Sequence, residues 1–305
     1  MTKFIKTIFA ALLILNWSVI AEGQPGSQNG PRDELRVMCF NIRYSAAGDT
    51  IENGWPNRKA RVVATIRQFD PDLLGLQEVL ADQYDSLRDL LPDYTAVGVA
   101  RDDGARDGEW SAIFYRTARL APLDSGTFWL SENPDEVGSS SWDAACVRIC
   151  TWVKLRDRAT GMQLLHANTH FDHRSGLARI GSAMLLNTRL RALAGDAPVI
   201  LTGDFNATEK SETYKILVNS TKVGASQFLD AYREVHPQPS GDEATFHAFK
   251  GIKAGSRIDW ILHTGQFKPI SAEIVRSAAP PFPSDHYPVT AVLVRTADGT
   301  PAPRE

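Results

Sequence analysis

The sequence predicts a single α+β domain in which packed β-sheets are flanked by helices. Strand-like apolar segments outnumber helical ones and recur to the end of the chain, where HYPVTAVLVR is the last. Between residues 34 and 296 there is no linker-like stretch and no internal repeat, so nothing divides this region into separate domains. A chain of 305 residues, 43% of them hydrophobic, can bury a sizeable core.

The first 21 residues have the pattern of a secretory signal peptide. Lys3 and Lys6 precede the apolar run FAALLILNWSVIA, and Val19 and Ala21 supply the small residues that precede a cleavage point. The alternative is an uncleaved membrane anchor, which is disfavoured because the run falls short of the roughly 20 apolar residues that span a bilayer. We therefore expect an exported protein, periplasmic or secreted, with no stable membrane span after cleavage.

Composition predicts the remaining boundaries. The expected segments are a polar, Gly/Pro-rich flexible linker at residues 22–33, the folded domain at residues 34–298 and a short tail at residues 299–305. A formal net charge of -3 and a pI near 6.2 argue against a protein that wraps long nucleic acid, because such proteins are usually basic. A small phosphate-bearing substrate is compatible with this charge. The oligomeric state is left open.

The three cysteines, Cys39, Cys146 and Cys150, predict buried thiols instead of a disulfide framework. If Cys146 and Cys150 share a strand, their Cα atoms lie about 13 Å apart, beyond the roughly 7 Å limit for a disulfide. Since the cysteines form no CxxC pairs, a structural zinc site is not expected either.

The first half of the domain alternates strands and helices. ELRVMCFNIRY is a strand ending near Asn41, and apolar residues at helical spacing predict a helix from Pro56 to Gln68. A strand follows over Leu73–Leu76, with Glu78 directly after it. QYDSLRDLLPDY then predicts a second helix, and EWSAIFYR another strand.

The second half begins with a hairpin, in which RICTWVKLRD and MQLLHANTHF pair across RATG. GLARIGSAMLLNTRLRAL is a long amphipathic helix, APVILTGDFN a buried strand and SETYKIL a short helix. SRIDWILHT and HYPVTAVLVR are the final strands, and the polar stretch Ser131–Ser141 is a surface loop.

Polar side chains with metal-ligand or proton-transfer chemistry recur at the ends of these strands. They are Asn41, Glu78, His170, Asp204 with Asn206, and Asp285 with His286, while Asp259 lies inside a strand. Each has an ordinary structural reading when taken alone: a turn acid, an Asx-turn amide, a helix-cap partner or a satisfied core histidine. Their repetition at strand ends instead predicts one shared site.

Hydrolysis of a phosphate ester requires this set of groups, because the phosphoryl oxygens repel an incoming nucleophile. Glu78 is a hard oxygen ligand suited to Mg²⁺, which typically takes one or two protein carboxylates. His286 can exchange a proton near neutral pH, with Asp259 as the carboxylate that fixes its tautomer. On an extended segment Asp204 and Asn206 point the same way, so the acid can orient water and the amide can donate to a phosphate oxygen.

The motifs CFNIRY, LLGLQEV, NTHFDH, LTGDFNA, SRIDWIL and SDHYPV occur in this order over about 260 residues. Together they resemble the endonuclease/exonuclease/phosphatase superfamily, which includes DNase I-like nucleases, sphingomyelinases, inositol polyphosphate 5-phosphatases and the CCR4/nocturnin-type deadenylases. The resemblance implies a four-layer α/β/β/α sandwich of two mixed β-sheets with the site at one end. GDFNATEKSETYKIL and TFHAFKG are similar to the deadenylase-like branch and to exported bacterial members, whereas the WCDR pattern of inositol 5-phosphatases is absent.

The resemblance also implies roles for single residues. Asn41, Glu78 and Asp285 match metal-site positions, and the implied cofactor is Mg²⁺ or Mn²⁺. The positions that match catalytic groups are Asp204, which orients the nucleophile, Asn206, which binds phosphate, His170, which contacts phosphate and assists the leaving group, and His286 with its partner Asp259. Whether His286 acts as base or electrostatic stabiliser is left open.

Two further residues are candidates for substrate binding beside Asn206 and His170. Glu109 matches a substrate-side glutamate of related proteins, and a solvated acidic loop is its alternative. Arg148 suits bidentate contact with a phosphate, with a structural salt bridge as its alternative. Trp142, Trp55 and Phe246 are candidates either for stacking on a base or sugar ring or for ordinary packing.

The sequence therefore predicts a Mg²⁺- or Mn²⁺-dependent phosphoesterase that hydrolyses a phosphodiester or phosphomonoester by in-line attack of water. Its expected substrate is a nucleotide, a nucleic acid, a phospholipid head group or a sugar phosphate. A sphingomyelinase- or inositol-phosphate-type hydrolase is the alternative among enzymes. A non-catalytic exported binding module on the same fold is the alternative outside them.

Overall fold

The computed structural model describes residues 34–218, 228–276 and 280–296. The predicted signal peptide, linker and tail lie outside these residues. Among the described helices, none is long and apolar enough to cross a membrane.

Twelve strands and five helices make up the described fold. The strands are β1 (Glu34–Asn41), β2 (Leu73–Val79), β3 (Tyr94–Val97), β4 (Trp110–Arg116), β5 (Leu120–Trp129), β6 (Ile149–Asp157), β7 (Gln163–His170), β8 (Val199–Asp204), β9 (Leu229–Asp230), β10 (Asp259–His263), β11 (Phe267–Ile274) and β12 (Val289–Arg295). The helices are α1 (Trp55–Phe69), α2 (Ala81–Leu90), α3 (Gly176–Ala194), α4 (Glu212–Val218) and α5 (Ala231–Val235).

The strands form two mixed sheets of six strands each. The first sheet has the order β11-β12-β1-β2-β4-β3 and the second β5-β6-β7-β8-β10-β9. In each sheet one central pair is parallel, β1 with β2 and β7 with β8, and the other pairs are antiparallel. Because the carboxyl ends of parallel strands meet at one edge, each sheet presents two strand ends on the same side.

Three apolar layers hold the sheets and helices together, because alternate strand residues face opposite sides. Val37 and Ile200 contribute to the layer between the sheets. Met38, on the other face of β1, packs with residues of α1 and α2. Leu201 packs with residues of α3 and α4 on the outer face of the second sheet. This confirms the predicted four-layer α/β/β/α sandwich.

A buried polar network also joins the two sheets where Gly75 allows a close approach. The side chain of Asn168 donates to the carbonyl oxygens of Leu76 and Ala112 at 2.8 and 2.9 Å. Its Oδ1 accepts from Gln77 Nε2 at 2.6 Å and from Thr202 Oγ1 at 2.9 Å. A Cβ added at Gly75 would overlap Thr202 and Asn168, so only glycine fits at this point of β2.

The predicted β6–β7 hairpin, the long helix and the buried strand β8 are confirmed. The sequence analysis missed the strands β3, β5, β9 and β11 and the short helix α5. Residues of β5 and β11 face solvent, so these strands lack the continuous apolar pattern of central ones. Ser131–Ser141 is an irregular loop, as predicted. All three cysteines are free, but Cys146 is only partly buried and lies before β6.

Candidate active site

One row of the second sheet brings three candidate residues together. In the register of the strands, Asp204 at the end of β8 pairs with His170 of β7 on one side and with Asp259 of β10 on the other. All three side chains are buried. Directly opposed residues on neighbouring strands lie within side-chain contact, so the register alone creates a cluster of ionisable groups.

Asn41 connects this row to the first sheet. Its Nδ2 donates to Asp204 Oδ2 at 3.0 Å and to Glu78 Oε1 at 3.0 Å. Its Oδ1 accepts from the backbone N–H of Arg43 at 3.0 Å. Asn41 is fully buried at the end of β1, so its amide fixes two carboxylates from different sheets relative to each other.

We expected Glu78 to come directly after its strand, but it lies inside β2. The register between β2 and β4 shifts after Leu76, and Glu78 has a φ of 60°. Such a bulge re-aims the side chain away from the alternating pattern of the strand. Glu78 Oε2 accepts from the backbone N–H of Tyr44 at 3.2 Å.

His286 and Asp259 form a buried hydrogen-bonded pair. His286 Nδ1 lies 2.9 Å from Asp259 Oδ2, and His286 Nε2 lies 3.8 Å from Asp204 Oδ2. Burial alone would lower the pKa of His286, but Asp259, Asp204 and Asp285 raise it well above its usual value. Burial and the charge of Asp204 also raise the pKa of Asp259. Both shifts keep a proton within the pair.

Asp204 is held in the ionised form. Burial alone would raise the pKa of Asp204. The charges of His170 and His286 lower it, as do the hydrogen bonds from Asn206 and Asn41. His170 Nε2 lies 3.6 Å from Asp204 Oδ2. Asp204 is therefore a buried acceptor surrounded by donors and by groups that can carry positive charge.

Asn206 reaches the site through a turn and not through the extended backbone that we predicted. Strand β8 ends at Asp204, and Asn206 has a φ of 47°. Its backbone N–H donates to Asp204 Oδ1 at 2.9 Å, and its Nδ2 lies 3.0 Å from His170 Nε2. Between them Phe205 is fully buried and stacks on Trp260, so the prediction that it returns to the core is confirmed. The turn keeps both polar side chains in one site.

Asp285 lies beside the site but outside the closest cluster. Its Oδ1 accepts from Ser284 Oγ at 3.3 Å, and its Oδ2 lies 3.8 Å from Arg43 Nε. Although burial opposes the shift, Asp49, Asp285 and Glu78 together raise the pKa of Arg43. Arg43 was not predicted as a site residue, although it stands in the motif CFNIRY; the charges of both Glu78 and Asp285 act on its guanidinium.

Among the described residues, two clusters bring three possible metal ligands close together, and one of them, Cys146 with Asp172 and His173, is not part of the predicted site. In the other, ligand atoms of Asp204, Asp259 and His286 lie within 4.8 Å of one another. However, the direct contact between His286 and Asp259 already uses two of these groups. In the predicted set, Glu78 and Asp285 offer carboxylate oxygens, which Mg²⁺ and Mn²⁺ prefer, whereas Asn41 turns its Nδ2 toward Glu78 and its Oδ1 toward the Arg43 N–H. Hydrogen bonds connect Asn41 to Glu78 directly and to Asp285 through Ser284. This pair of carboxylates therefore fits a hard divalent cation.

The substrate-side candidates Glu109 and Arg148 lie next to His170. Glu109 Oε2 lies 3.6 Å from His170 Nδ1, 3.9 Å from Arg148 Nη1 and 2.9 Å from Arg101 Nη1. Arg101 was not among the residues predicted for the site, and nearby Arg106 is exposed and pairs with Asp85. Glu109 is thus part of a partly buried ion cluster with Arg101, Arg148 and His170, which favours the substrate-side interpretation over a solvated loop acid.

The aromatic candidates fall into two groups. Trp55 is buried in the core between the first sheet and its helices, so it packs instead of stacking on substrate. The ring of Trp142 lies against Gly181 in helix α3. Phe246, in contrast, is 47% exposed, and its ring centre lies 5.0 Å from that of His286.

The sequence profile of the Endonuclease/Exonuclease/phosphatase family matches residues 38–286. The chain belongs to this family. A solved endonuclease/exonuclease/phosphatase from Bacteroides vulgatus is 41% identical, with a TM-score of 0.80, over 86% of this chain and 99% of that one. Both the family resemblance and the fold inferred from the sequence are confirmed.

Two further similar proteins are informative, one because its name states an activity and the other because it bears the name of the deadenylase-like branch. A mannosyl-6-phosphatase from Bacteroides thetaiotaomicron is 33% identical, with a TM-score of 0.76, over 85% of this chain and 99% of that one. Nocturnin from Xenopus laevis is 28% identical over 216 residues, which are 64% of this chain and 53% of nocturnin. The chain spans about half the length of the curated relatives that it matches first.

Proposed function

We propose that this protein hydrolyses a phosphate ester by in-line attack of water in a site that holds Mg²⁺ or Mn²⁺. The observation that carries the proposal is the contact network that joins Asn41, Glu78, Asp204 and His286 across the two sheets. Such a set brings hard ligands, a water-orienting acid and a proton-exchanging pair to one point. Membership in the family and similarity to a mannosyl-6-phosphatase support the same chemistry.

Glu78 and Asp285 would hold the cation, and the Asn41 amide, predicted as a third ligand, would hold the Glu78 carboxylate in place. A bound divalent cation would neutralise the phosphate oxygens that otherwise repel the nucleophile. Arg43, which lies 3.8 Å from Asp285, partly balances these acids when no substrate is bound. Since Asn41 also contacts Asp204, the amide would keep the metal-site acids in fixed register with the water-orienting acid.

Asp204 would orient the attacking water. Its carboxylate is ionised and buried, and two of its lone-pair directions are occupied by Asn41 and Asn206. These fixed donors leave little freedom for rotation, so a water bound to Asp204 is held in one direction. The proton released by that water has an ionised acceptor at hand.

Asn206 and His170 would bind the phosphate from one side, and His286 from another. The Asn206 amide contacts His170 Nε2 and donates to the Phe171 carbonyl oxygen; exchanging the contact with His170 for a phosphate oxygen would bind substrate without adding negative charge. The imidazole of His286 presents Nε2 toward the site, while Nδ1 is fixed by Asp259. The pair can therefore stabilise charge on phosphate oxygens or exchange a proton with the attacking water.

Export is part of this proposal because the first 21 residues have a signal-peptide pattern. The retained residues argue against the alternative of a non-catalytic binding module, since such a module has no need for an ionised acid beside a histidine pair. A lipid-directed or inositol-phosphate-directed hydrolase differs in the substrate-side loops, where specificity resides in this fold.

Hydrolysis assays on the mature chain test the proposal, with the released alcohol or nucleotide measured for diesters and inorganic phosphate for monoesters. The substrates are bis-p-nitrophenyl phosphate, p-nitrophenyl phosphate, short RNA and DNA, sphingomyelin, inositol phosphates and mannose 6-phosphate, each with Mg²⁺, with Mn²⁺ and with EDTA. We expect turnover that EDTA abolishes and that His286→Ala lowers by at least 100-fold. No turnover of any substrate, together with no metal-dependent rise in melting temperature, would support the binding module instead.

A further inference from the structure

A small polar pocket lies beside His170, on the edge of the imidazole that faces away from Asn206. It has a volume of about 10 Å³ and is lined by Arg101, Glu109, Trp110, Ser111, Arg148, Ile149 and His170. Asn206 Nδ2 contacts Nε2 of the same imidazole at 3.0 Å. A group in the pocket would therefore sit one imidazole width from the proposed phosphate-binding amide. A volume of this size holds roughly one water oxygen or one hydroxyl.

The polar groups around this pocket are incompletely satisfied within the described protein. Arg148 is only 6% exposed, yet its Nε and Nη1 have no hydrogen-bond partner among the described residues, and the same is true of Nδ1 of His170. Arg148 Nη2 is engaged by His173 Nδ1 at 3.2 Å. A buried donor without a partner is costly, so the free N–H groups of Arg148 call for a small polar group.

Glu109 decides which chemistry the pocket accepts. Burial alone would raise its pKa, but His170, Arg101 and Arg148 lower it to about 2. The two guanidiniums of Arg101 and Arg148 outnumber this carboxylate, so it is the volume of about 10 Å³ that excludes a second phosphate or carboxylate. A hydroxyl group, in contrast, can donate to Glu109 and accept from Arg148 at the same time.

We propose that the pocket receives a hydroxyl of the substrate's alcohol portion, so that the enzyme prefers phosphate esters of sugars or other polyols. The inference rests on the proposed function, because Asn206 must first place the phosphate. A hydroxyl near the ester carbon would occupy the pocket, and a second anionic group would not fit there. Sites built to hydrogen-bond a substrate hydroxyl discriminate strongly against analogues that lack it.

The test compares two phosphomonoesters of the same ring size on the wild-type chain with Mg²⁺. Mannose 6-phosphate carries ring hydroxyls, whereas cyclohexylmethyl phosphate carries none. We expect kcat/KM for mannose 6-phosphate to be at least 100-fold higher. Equal values within threefold would overturn the inference while leaving the phosphoesterase intact, because the pocket would then hold only water. Turnover of neither compound, and of no other phosphate ester, would sink the proposed function and the inference with it.

Two variants test whether the pocket causes the preference for the hydroxyl-bearing substrate. Glu109→Gln and Arg148→Lys should each lower the ratio of the two kcat/KM values at least tenfold. Arg106→Lys is the matched control, because Arg106 is exposed and pairs with Asp85 away from the pocket, and it should keep the wild-type ratio. Thermal melts followed by circular dichroism show whether the variants fold. If both variants fold and keep the wild-type ratio of kcat/KM values, the pocket does not bind the hydroxyl. If neither variant folds, the comparison of the two substrates on the wild-type chain tests the inference.

Discussion

Asp259 Oδ2 lies 2.9 Å from His286 Nδ1, and Asp259 stands directly opposite Asp204 in the pairing of β10 with β8. The histidine thus lies between two buried acids, with one ring nitrogen fixed and the other facing the site. The pairing of β10 with β8 fixes the position of Asp259, and the contact of Asp259 with Nδ1 then fixes the orientation of the imidazole.

Replacing Asp259 by Asn should lower kcat about 10²–10⁴-fold, because an amide neither fixes the tautomer of His286 nor stabilises its charge. The rate of substrate hydrolysis at saturating substrate measures the effect. Asp124→Asn, on the exposed part of β5, is the control and should retain wild-type kcat. A kcat for the folded Asp259→Asn protein equal to that of the control would remove Asp259 from the mechanism.

Glu78→Gln should weaken binding of Mn²⁺ at least tenfold while retaining the contact with Asn41 Nδ2, since the amide keeps an acceptor oxygen. Titration calorimetry with Mn²⁺ in the absence of substrate gives the affinity independently of turnover. Glu132→Gln in the loop Ser131–Ser141 is the exposed control. Equal Mn²⁺ affinity in the two variants would place the cation elsewhere, with the group of Asp204, Asp259 and His286 as the next site to test.

Gly75→Ala should lower the free energy of unfolding by about 1–3 kcal/mol, because the added methyl group overlaps the Asn168 network between the sheets. Gly241→Ala is matched to it, since a Cβ at Gly241 meets no atom within 4 Å. Urea unfolding of both variants gives the comparison. Stability of Gly75→Ala within about 0.5 kcal/mol of that control would show that the sheets can separate at little cost.

His166 predicts a pH dependence of stability. Burial lowers its pKa from 6.5 to about 3, so between these values the unfolded chain binds a proton that the folded protein does not. The contribution of neutral His166 to the free energy of unfolding is therefore fully present above pH 6.5. It is lost as the pH falls toward 3, by up to about 1.4 kcal/mol per pH unit.

The measurement is urea unfolding of wild type and His166→Gln at several pH values between 7 and 4. The variant should show a shallower loss of stability with falling pH, because it has no proton to gain at this position. Identical slopes would mean that His166 does not titrate on unfolding as its burial requires.

Central strands could be predicted because both of their faces are apolar. β1 and β8 are examples, since each supplies residues to two layers. Edge strands could not, because β11 alternates buried and exposed positions and β5 exposes its middle. Recognising them requires knowledge of the neighbouring strand, which is distant in sequence.

The same distinction holds for the site. Residues at strand ends, such as Asn41 and Asp204, could be located because the strand itself places them. The bulge at Glu78 and the left-handed turn at Asn206 were missed, since both depend on backbone angles that no local pattern reveals. Arg43 was missed because its site partner Asp285 is distant in sequence. Arg101 pairs with Glu109 of the same loop, and no local pattern shows that it turns toward that carboxylate.

The measurement that tests the central claim most directly is metal-dependent hydrolysis by wild type and by Asp204→Asn, on whichever substrate the assay panel identifies. Asp204 contacts Asn41 and Asn206 and lies within 3.8 Å of His286, so every proposed role meets at this residue. We expect EDTA-sensitive turnover in the wild type and a loss of at least 100-fold in kcat for the folded variant. Turnover by Asp204→Asn at the wild-type rate would contradict the account.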